Sequence, residues 1–277
     1  MDVYKSIKNR ISIRKYSGKI FDEETIGLVK EKLEGLIPLY EDIKVRFELV
    51  TDPETSKSLQ TGLIGSYGKI NAPHCVVAVT EEKPGHKENI GFIQEQLVLE
   101  LTDMGIGTCW VAGSLDRDKA GKAIELKEGE KVIDIITLGY PQDSFLNNGL
   151  RKIIGSHKRR PRNEVAYYNK WGEDIEAYLN MNPSMTRMLE ASILAPSAAN
   201  KQPVRVVLCD NSAAFFVQED QGAHREYARV DGGILLSHFY LSALKEGKKA
   251  GFCKEINALE KYTVPTGYGY ITTLKLD

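Results

Sequence analysis

The alternation of apolar and polar residues along this 277-residue chain predicts a mixture of helices and strands. Apolar residues recur at helical spacing in the long segments 89–105 and 231–246. Segment 21–37 also reads as a helix, because Asp22 can cap it and two glutamates follow. Further helices are predicted at 184–194 and near 172–179, and strands at 45–51, 74–80, 131–139, 204–210 and 268–276. Segment 141–186 is otherwise loop-rich, and the irregular order of elements indicates an α+β fold.

Two parts of the chain follow the same order of elements, which indicates an internal repeat. The residues that coincide are Pro38 with Pro196, Asp52 with Asp210, Gly91 with Gly233, Gly105 with Gly247, and GTC (107–109) with GFC (251–253). Each coincidence is weak alone, but all occur in the same order along both parts. We therefore expect two related halves, residues 1–165 and residues 166–277.

The two halves differ in what they retain. The second half joins a helix to a strand through LAPSAANKQPV (194–204), where the first half has IPLYEDIKV. Pro, Ser and Asn are ordinary turn residues, so a simple turn is one interpretation. The first half makes the same joint without Ser, Asn or Gln, which favours a binding role for the loop. Conversely, NRISIRKY (9–16) has no counterpart before the second half, and this complementary loss predicts one composite site.

Two basic segments are candidates for anion binding. RISIRKY places Arg10, Ser12 and Arg14 at alternating positions, so in an extended segment they project to one side. Two guanidinium groups and a hydroxyl suit a phosphate, although a solvated edge with scattered basic residues remains the alternative. HKRRPR (157–162) is either a charged linker or a second anion-binding element. GIGTCW (105–110) lacks GxGxxG spacing and therefore does not predict a dinucleotide loop.

Composition narrows the class of protein. Hydrophobic residues make up 42% and charged residues 27%, and the formal net charge is −1, so nothing favours nucleic acid or an anionic membrane surface. No apolar run approaches the ~20 residues that span a bilayer, and no signal peptide is evident, so we expect a cytoplasmic protein. The four cysteines are scattered, which predicts structural thiols and no metal site. His238, Trp110 and Trp171 are expected to be packing residues.

The motifs together resemble the FMN-dependent nitroreductase family. They are RxSxR followed by a tyrosine, the loop APSxxNxQP, a helix ending in GxGTxW, a strand ending in LGYP, and a KxRP element at 158–161. The match spans nearly the whole chain. Most members of that family are homodimers with two interfacial FMN sites, and this chain resembles a subgroup with two fused halves. The resemblance implies a nitroreductase-like α+β fold, internally duplicated as a pseudo-dimer, that is a monomer or a weak homodimer.

The resemblance also implies FMN-binding residues near the start and the middle of the chain. The RxSxR residues of the family contact the phosphate, the ribityl chain and the pyrimidine edge, which implies Arg10, Ser12 and Arg14. The KxRP element of the family reaches the phosphate, which implies Lys158 and Arg160. One complete site is expected, because the loop of the first half is degenerate.

The remaining implied residues surround the flavin ring. The APSxxNxQP loop would pack against it through Pro196, Ser197, Asn200 and Gln202. Gly113, preceded by Ala112, would lie near the reactive flavin nitrogen, and Lys69 near the pyrimidine. This chain departs from the family in having Val204 where an aromatic is common and Ala198 where a second hydroxyl is common.

A function follows from the resemblance. NAD(P)H would donate hydride to FMN, and a nitroaromatic, a quinone or a similar small molecule would then be reduced in a ping-pong reaction without a protein nucleophile. Another flavin reaction on the same fold, such as reductive dehalogenation or flavin cleavage, is one alternative. A non-catalytic flavin-binding or flavin-storage protein is another, and slow reduction by both NADH and NADPH would favour it.

Overall fold

The structure, a computed structural model, describes residues 1–60, 70–113, 115–142, 157–219, 222 and 225–277. Its helices are α1 (Val3–Asn9), α2 (Glu23–Glu34), α3 (Pro53–Leu59), α4 (His86–Asp103), α5 (Arg117–Ala123), α6 (Arg162–Val165), α7 (Glu176–Met181), α8 (Pro183–Ile193), α9 (Arg225–Lys245) and α10 (Ala258–Lys261). Its strands are β1 (Val45–Val50), β2 (His74–Glu81), β3 (Gly107–Val111), β4 (Glu130–Gly139), β5 (Ala166–Tyr168), β6 (Val204–Cys209), β7 (Ser212–Gln218), β8 (Ala250–Cys253) and β9 (Tyr268–Leu276). Among the described helices, none has the length and apolarity to cross a membrane.

The chain forms two compact units that take up interleaved segments. The first unit contains Met1–Asp2, Asn9–His86 and Gln96–His157. The second contains Val3–Lys8, Lys87–Glu95 and Lys158–Asp277. Helix α1 therefore belongs mainly to the second unit, and α4 contributes residues to both. The division of the chain into linear halves at residues 165 and 166 stays a prediction about the repeat rather than a description of these units.

The first unit is built on a four-stranded antiparallel sheet in the order β1-β2-β4-β3. Both faces of this sheet are buried under helices. Successive side chains of a strand point to opposite faces, so neighbouring residues pack in different clusters. Val77 packs in one cluster with Leu59 of α3, whereas its neighbour Val76 packs in another with Val29 of α2 and Leu97 of α4. The continuous apolar run in β2 reflects this burial on both sides.

Helix α2 begins as the sequence predicts but ends earlier. The carboxylate of Asp22 caps it by accepting a hydrogen bond from the Thr25 backbone N–H at 2.9 Å. The predicted helix extends to residue 37, whereas α2 ends at Glu34 with Gly35 as its C-cap. Ile37 is consequently 45% exposed rather than part of the buried stripe.

The second unit is built on a five-stranded sheet in the order β5-β6-β7-β9-β8. Only the β5–β6 pair is parallel, and the other pairs are antiparallel. Helix α9 packs on one face, where the rings of Phe215 and Phe239 are 5.3 Å apart in an edge arrangement. Trp171 and Tyr262 contact Phe216 on the other face, so Trp171 is a packing residue as predicted.

The two sheets share one strand order when β5 is set aside. Strands β6, β7, β9 and β8 follow one another as β1, β2, β4 and β3 do in the first unit. Cys109 lies opposite Thr137 in the first sheet, and Cys253 lies opposite Thr273 in the second. The two cysteines that the sequence comparison aligns therefore occupy corresponding positions in their sheets.

Candidate functional site

The basic segment after α1 lies in the first unit as an extended chain beside β3. Ser12 and Thr108 form a parallel bridge, and the Ile13 backbone N–H donates to the Thr108 carbonyl at 2.8 Å. The Gln142 backbone N–H donates to the Lys15 carbonyl at 2.9 Å. This extended conformation is the condition under which Arg10, Ser12 and Arg14 project to one side, as the alternation predicts.

The polar side chains of this segment, Arg10, Ser12 and Arg14, have different surroundings from Ile13. Burial raises the pKa of the Cys109 thiol, and the guanidinium groups of Arg14 and Arg10 and the Ser12 hydroxyl act in the opposite direction. All three predicted residues therefore influence one buried group, the Cys109 thiol. Ile13, between them, is buried in apolar surroundings. Two guanidinium groups beside a hydroxyl form a donor set that fits a phosphate, which the simpler interpretation as a solvated edge does not explain.

Two motif glycines in the first unit are explained by this segment. A Cβ atom on Gly107 would lie 2.8 Å from Cγ1 of Ile13, and a Cβ atom on Gly139 would lie 2.8 Å from Cδ1 of Tyr16. The Tyr16 hydroxyl is 2.7 Å from Oγ1 of Thr137 on β4. The glycines of GxGTxW and LGYP thus allow the basic segment to pack closely on the edge of the sheet.

Ala112 and Gly113 form the turn that follows β3. Ala112 is half-buried, Gly113 is exposed, and the Ala112 carbonyl accepts a hydrogen bond from the Leu115 backbone N–H at 3.4 Å. Ala112 and Gly113 belong to the first unit, as do Arg10 and Arg14. They directly follow β3, the strand whose Thr108 forms the bridge with Ser12. Lys69, the remaining predicted residue of the first half, lies outside the described residues.

The predicted loop of the second unit has an unusual backbone. Helix α8 ends at Ile193, and a short 3₁₀ turn at Ala198–Asn200 follows. Ala199, Asn200 and Gln202 have φ values of 48°, 55° and 50°. Left-handed backbone costs a residue other than glycine about 1–2 kcal/mol, so surrounding contacts must hold the loop. One of them is internal, since Ser197 Oγ accepts the Gln202 backbone N–H at 2.9 Å.

A second contact comes from Asp231 of α9. Both of its carboxylate oxygens accept the Ala198 backbone N–H, at 3.0 and 3.1 Å. The side chain is buried, and burial raises the pKa of Asp231 well above its usual range. Asp231 is not among the predicted site residues, although a single acid next to the apolar part of a predicted helix is a signal for a buried polar role.

The KxRP element lies against the same loop within the second unit. Asn200 Nδ2 donates to the Lys158 carbonyl at 3.0 Å, and Gln202 Oε1 accepts the Arg160 backbone N–H at 2.8 Å. The Lys158 and Arg160 side chains are exposed, and Arg160 pairs with Glu164 at 3.1 Å. Arg159, which is not among the predicted site residues, donates from its guanidinium to Asn200 Oδ1 at 3.2 Å.

The structure therefore brings the predicted residues together in two sets, one in each unit. In the first unit the set is Arg10, Ser12 and Arg14, with Ala112 and Gly113 after the adjoining strand. In the second unit the set is Pro196, Ser197, Asn200 and Gln202, with Lys158 and Arg160. Both sets combine cationic side chains with hydroxyl or amide groups, the chemistry that recognises a small phosphorylated ligand.

The fold and these sets define a class of α+β proteins that bind a small phosphorylated cofactor. The family model described as "Putative TM nitroreductase" matches residues 2–243, so the chain belongs to that nitroreductase family. It is accordingly an NAD(P)H-dependent flavin oxidoreductase with the α+β fold that the sequence predicts. No match is found among curated proteins.

Several solved structures are similar to this chain. The crystal structure of "a putative nitroreductase" from Thermotoga maritima is 25% identical, with a TM-score of 0.63, and the alignment covers 100% of this chain and 93% of that one. A nitroreductase family protein from Clostridium novyi is 22% identical over 64% of this chain and 98% of that one, with a TM-score of 0.45. A nitroreductase with bound FMN from Bacteroides fragilis is 20% identical over 52% of this chain and 90% of that one, with a TM-score of 0.43.

Proposed function

We propose that this protein binds one FMN per chain and uses it for NAD(P)H-driven reduction of nitroaromatics, quinones or similar small acceptors. Membership of the nitroreductase family supports the flavin and the donor. The observation that carries the proposal is the extended pairing with β3 of the segment that holds Arg10, Ser12 and Arg14, which places alternate side chains on one side. Arg10 is buried and Arg14 is half-buried, and two guanidinium groups beside a hydroxyl suit the phosphate of FMN.

The residues present fit this cofactor. Lys158 and Arg160 add two exposed cations next to the loop of the second unit, and the amides of Asn200 and Gln202 both donate and accept hydrogen bonds. We infer that both sets contribute to the one site. When bound, FMN supplies the hydride acceptance and electron transfer that no protein side chain provides.

The side chains then have binding and electrostatic roles. The arginines and Lys158 would neutralise the phosphate, while a fixed cation such as Arg14 would stabilise the negative charge that reduction adds. The loop from Pro196 to Gln202 would form one wall of the pocket. NAD(P)H and the acceptor would occupy this pocket in turn, in a ping-pong reaction that requires no protein nucleophile.

The internal repeat remains part of the proposal. The shared strand order and the matching positions of Cys109 and Cys253 support it. The loop at 37–45 has no Ser, Asn or Gln, and NRISIRKY occurs once in the sequence. A duplicated chain with these losses would hold one FMN rather than two. We also propose a cytoplasmic location.

The first experiment is to record the absorbance spectrum of purified, desalted protein and to quantify released FMN per chain. About one FMN per chain is expected from the single composite site. Two per chain would contradict the proposed loss of the duplicate site, and none after added FMN would contradict the proposed function. Rapid reduction by NAD(P)H under anaerobic conditions, followed by reoxidation by a quinone, separates an enzyme from a flavin-storage protein.

Arg14→Ala tests the donor set directly. The variant lacks one charge-assisted partner of the phosphate, so we expect FMN affinity to fall by about 1.5–3 kcal/mol, or roughly tenfold to a hundredfold. Fluorescence titration of the flavin-free protein measures it. Lys15→Ala, which removes a neighbouring positive charge from the same extended segment, is the control and should retain affinity. Equal affinities in Arg14→Ala and the unmodified protein would refute the site.

A further inference from the structure

We propose that Asn200, Gln202 and Arg159 form a clamp that fixes the segment Lys158–Arg160 on the loop and thereby gives this protein its preference for a phosphorylated flavin. The inference rests on the proposed function and adds to it a positioning role for three side chains. In this arrangement the two amides act on the phosphate through the basic segment, whereas direct contact with the flavin ring was the expectation from the sequence.

The amides bind backbone groups of the basic segment. Gln202 Oε1 accepts the Arg160 N–H at 2.8 Å, and Asn200 Nδ2 donates to the Lys158 carbonyl at 3.0 Å. Gln202 Nε2 also donates to the Lys158 carbonyl, at 3.4 Å. Because these bonds involve the backbone, they restrain both residues while their charged side chains stay exposed, that of Arg160 beside Glu164.

Arg159 closes the clamp from the other side. Its Nη1 donates to Asn200 Oδ1 at 3.2 Å and to the Lys158 carbonyl at 3.0 Å. Its Nη2 donates to the Leu194 carbonyl at 3.0 Å, which lies just past the C-terminal end of α8. A guanidinium at this position also interacts favourably with the negative end of the helix dipole. Arg159 thus ties the basic segment both to the loop and to the helix before it.

The backbone of the loop is strained at the two amide residues. Asn200 and Gln202 both have left-handed backbone, which costs energy and persists only when contacts compensate. The contacts that their side chains make to Lys158, Arg159 and Arg160 provide part of that compensation. The first half makes the corresponding joint without amide residues. A helix-to-strand connection therefore does not require the left-handed conformation. We attribute that conformation to the contacts of the clamp.

The consequence concerns the phosphate. A flexible basic segment must lose conformational entropy before it can bind an anion, whereas a segment already held by the clamp has lost it on folding. The clamp should therefore strengthen binding of FMN and leave riboflavin, which has no phosphate, nearly unaffected. Direct contact of the amides with the flavin ring or ribityl chain predicts equal losses for both ligands.

The test compares FMN with riboflavin. Fluorescence titration of flavin-free protein gives both dissociation constants for Asn200→Ala, Gln202→Ala and Arg159→Lys, the last of which keeps the charge but loses the planar fork. We expect each variant to bind FMN about fivefold to tenfold more weakly, with the riboflavin constant changed by less than about twofold. Lys201→Gln, at an exposed position between the two amides, is the control for loop substitutions and for charge.

A second measurement needs no flavin. Trypsin cleaves after Lys158 and Arg159, and the clamp should slow that cleavage, so Asn200→Ala and Gln202→Ala should be cut there several times faster than the unmodified protein. Equal weakening of both ligands with unchanged cleavage would overturn the clamp and indicate direct flavin contact. If the unmodified protein binds neither flavin, the proposed function fails, and the cleavage rates then decide the clamp by themselves.

Discussion

Among single residues, Asp231 shows how the second unit maintains a strained loop. Its carboxylate accepts the Ala198 backbone N–H with both oxygens, and no solvent competes because the group is buried. The helix alignment that places Gly91 on Gly233 places Asn89 on Asp231. Asn89 is also fully buried. The chain itself therefore indicates that an uncharged amide is tolerated at the corresponding position.

The ionisation of Asp231 gives a pH-dependent prediction. Burial raises its pKa well above 3.8, so the native protein retains a proton that the unfolded chain releases, and the contribution of this group to stability falls as pH rises. Asp231→Asn keeps an oxygen for the Ala198 N–H but cannot ionise. We expect the free energy of unfolding of Asp231→Asn, relative to the unmodified protein, to increase between about pH 4 and pH 7.

Urea unfolding at several pH values measures that difference. Asp231→Ala serves as the contrast, because it deprives the buried Ala198 N–H of its acceptor and should lose about 1–3 kcal/mol at every pH. A relative stability of Asp231→Asn that is constant across the pH range would show that this carboxyl does not titrate differently in the folded protein.

Glu95 and His238 form a second buried polar contact in the second unit. Both side chains are fully buried, and His238 Nε2 lies 2.9 Å from Glu95 Oε1. His238 Nδ1 lies 3.1 Å from the Ala191 carbonyl, which can only accept, so Nδ1 carries a proton. This confirms His238 as a core histidine with satisfied partners.

Removing one member of this pair should cost more than removing both. His238→Leu leaves the Glu95 carboxyl buried without its histidine, and we expect a loss of about 3–5 kcal/mol in the free energy of unfolding. The double variant Glu95→Leu with His238→Leu should recover much of it, because two apolar groups then pack together. Chemical denaturation of the single and double variants measures the coupling, and strictly additive losses would contradict it.

At the scale of single residues, the sequence predicts features that depend on neighbouring residues and does not predict those that depend on distant ones. Alternation sufficed to place Arg10, Ser12 and Arg14 together, because three residues in one extended segment share a side whatever the rest of the chain does. The partners of Asn200 and Gln202 lie some forty residues earlier in the chain. No periodicity encodes such a contact, so the predicted role of these amides came from the comparison of the two halves and from the resemblance.

At the scale of elements, helices α4 and α9 cross through two glycines. A Cβ atom on Gly91 would lie under 3.0 Å from the Val230 carbonyl oxygen, and one on Gly233 would lie under 3.0 Å from the Glu88 carbonyl oxygen. The alignment that places Gly91 on Gly233 also places Glu88 on Val230. The contact is therefore reciprocal, as it is at the two-fold axis of a homodimer.

Both glycines should be equally intolerant of a methyl group. Because the obstructing atoms belong to the backbone, we expect Gly91→Ala and Gly233→Ala each to reduce the free energy of unfolding by about 1–3 kcal/mol or more. Gly27→Ala is the matched control, since a Cβ atom there meets nothing within 4 Å and alanine favours the helix by about 1 kcal/mol. Thermal or urea unfolding measures all three, and a large difference between the first two would contradict a reciprocal crossing.

Long periodic elements were predictable, whereas short ones defined by pairing were not. The pattern finds α4 and α8 within a few residues of their ends. It misses β7, although Cys209 pairs with Ser212 across a two-residue Asp-Asn connection of the kind that makes hairpins. It also misses β5, three residues long, whose only evidence is parallel pairing with β6. Strand pairing is a long-range property, so propensity alone cannot reveal it.

At the scale of the whole molecule, each unit contains a sheet of the same strand order, and each contains a different part of the predicted FMN site. A homodimer that needs both chains for each site loses the site on dilution. A duplicated gene removes this dependence, because one chain then carries both halves. NRISIRKY occurs in one half only and the amide loop in the other only, and under the duplication that we propose these losses would be tolerable only after such a fusion.

Dilution therefore distinguishes a self-sufficient chain from a weak homodimer. If one chain supplies all the FMN ligands, the dissociation constant for FMN will be the same at protein concentrations of about 0.1 µM and about 10 µM, because no assembly step is linked to binding. Sedimentation at the same concentrations should give the mass of one chain, 31.0 kDa, with or without FMN. An affinity that rises with protein concentration, together with a heavier species, would mean that a second chain completes the site.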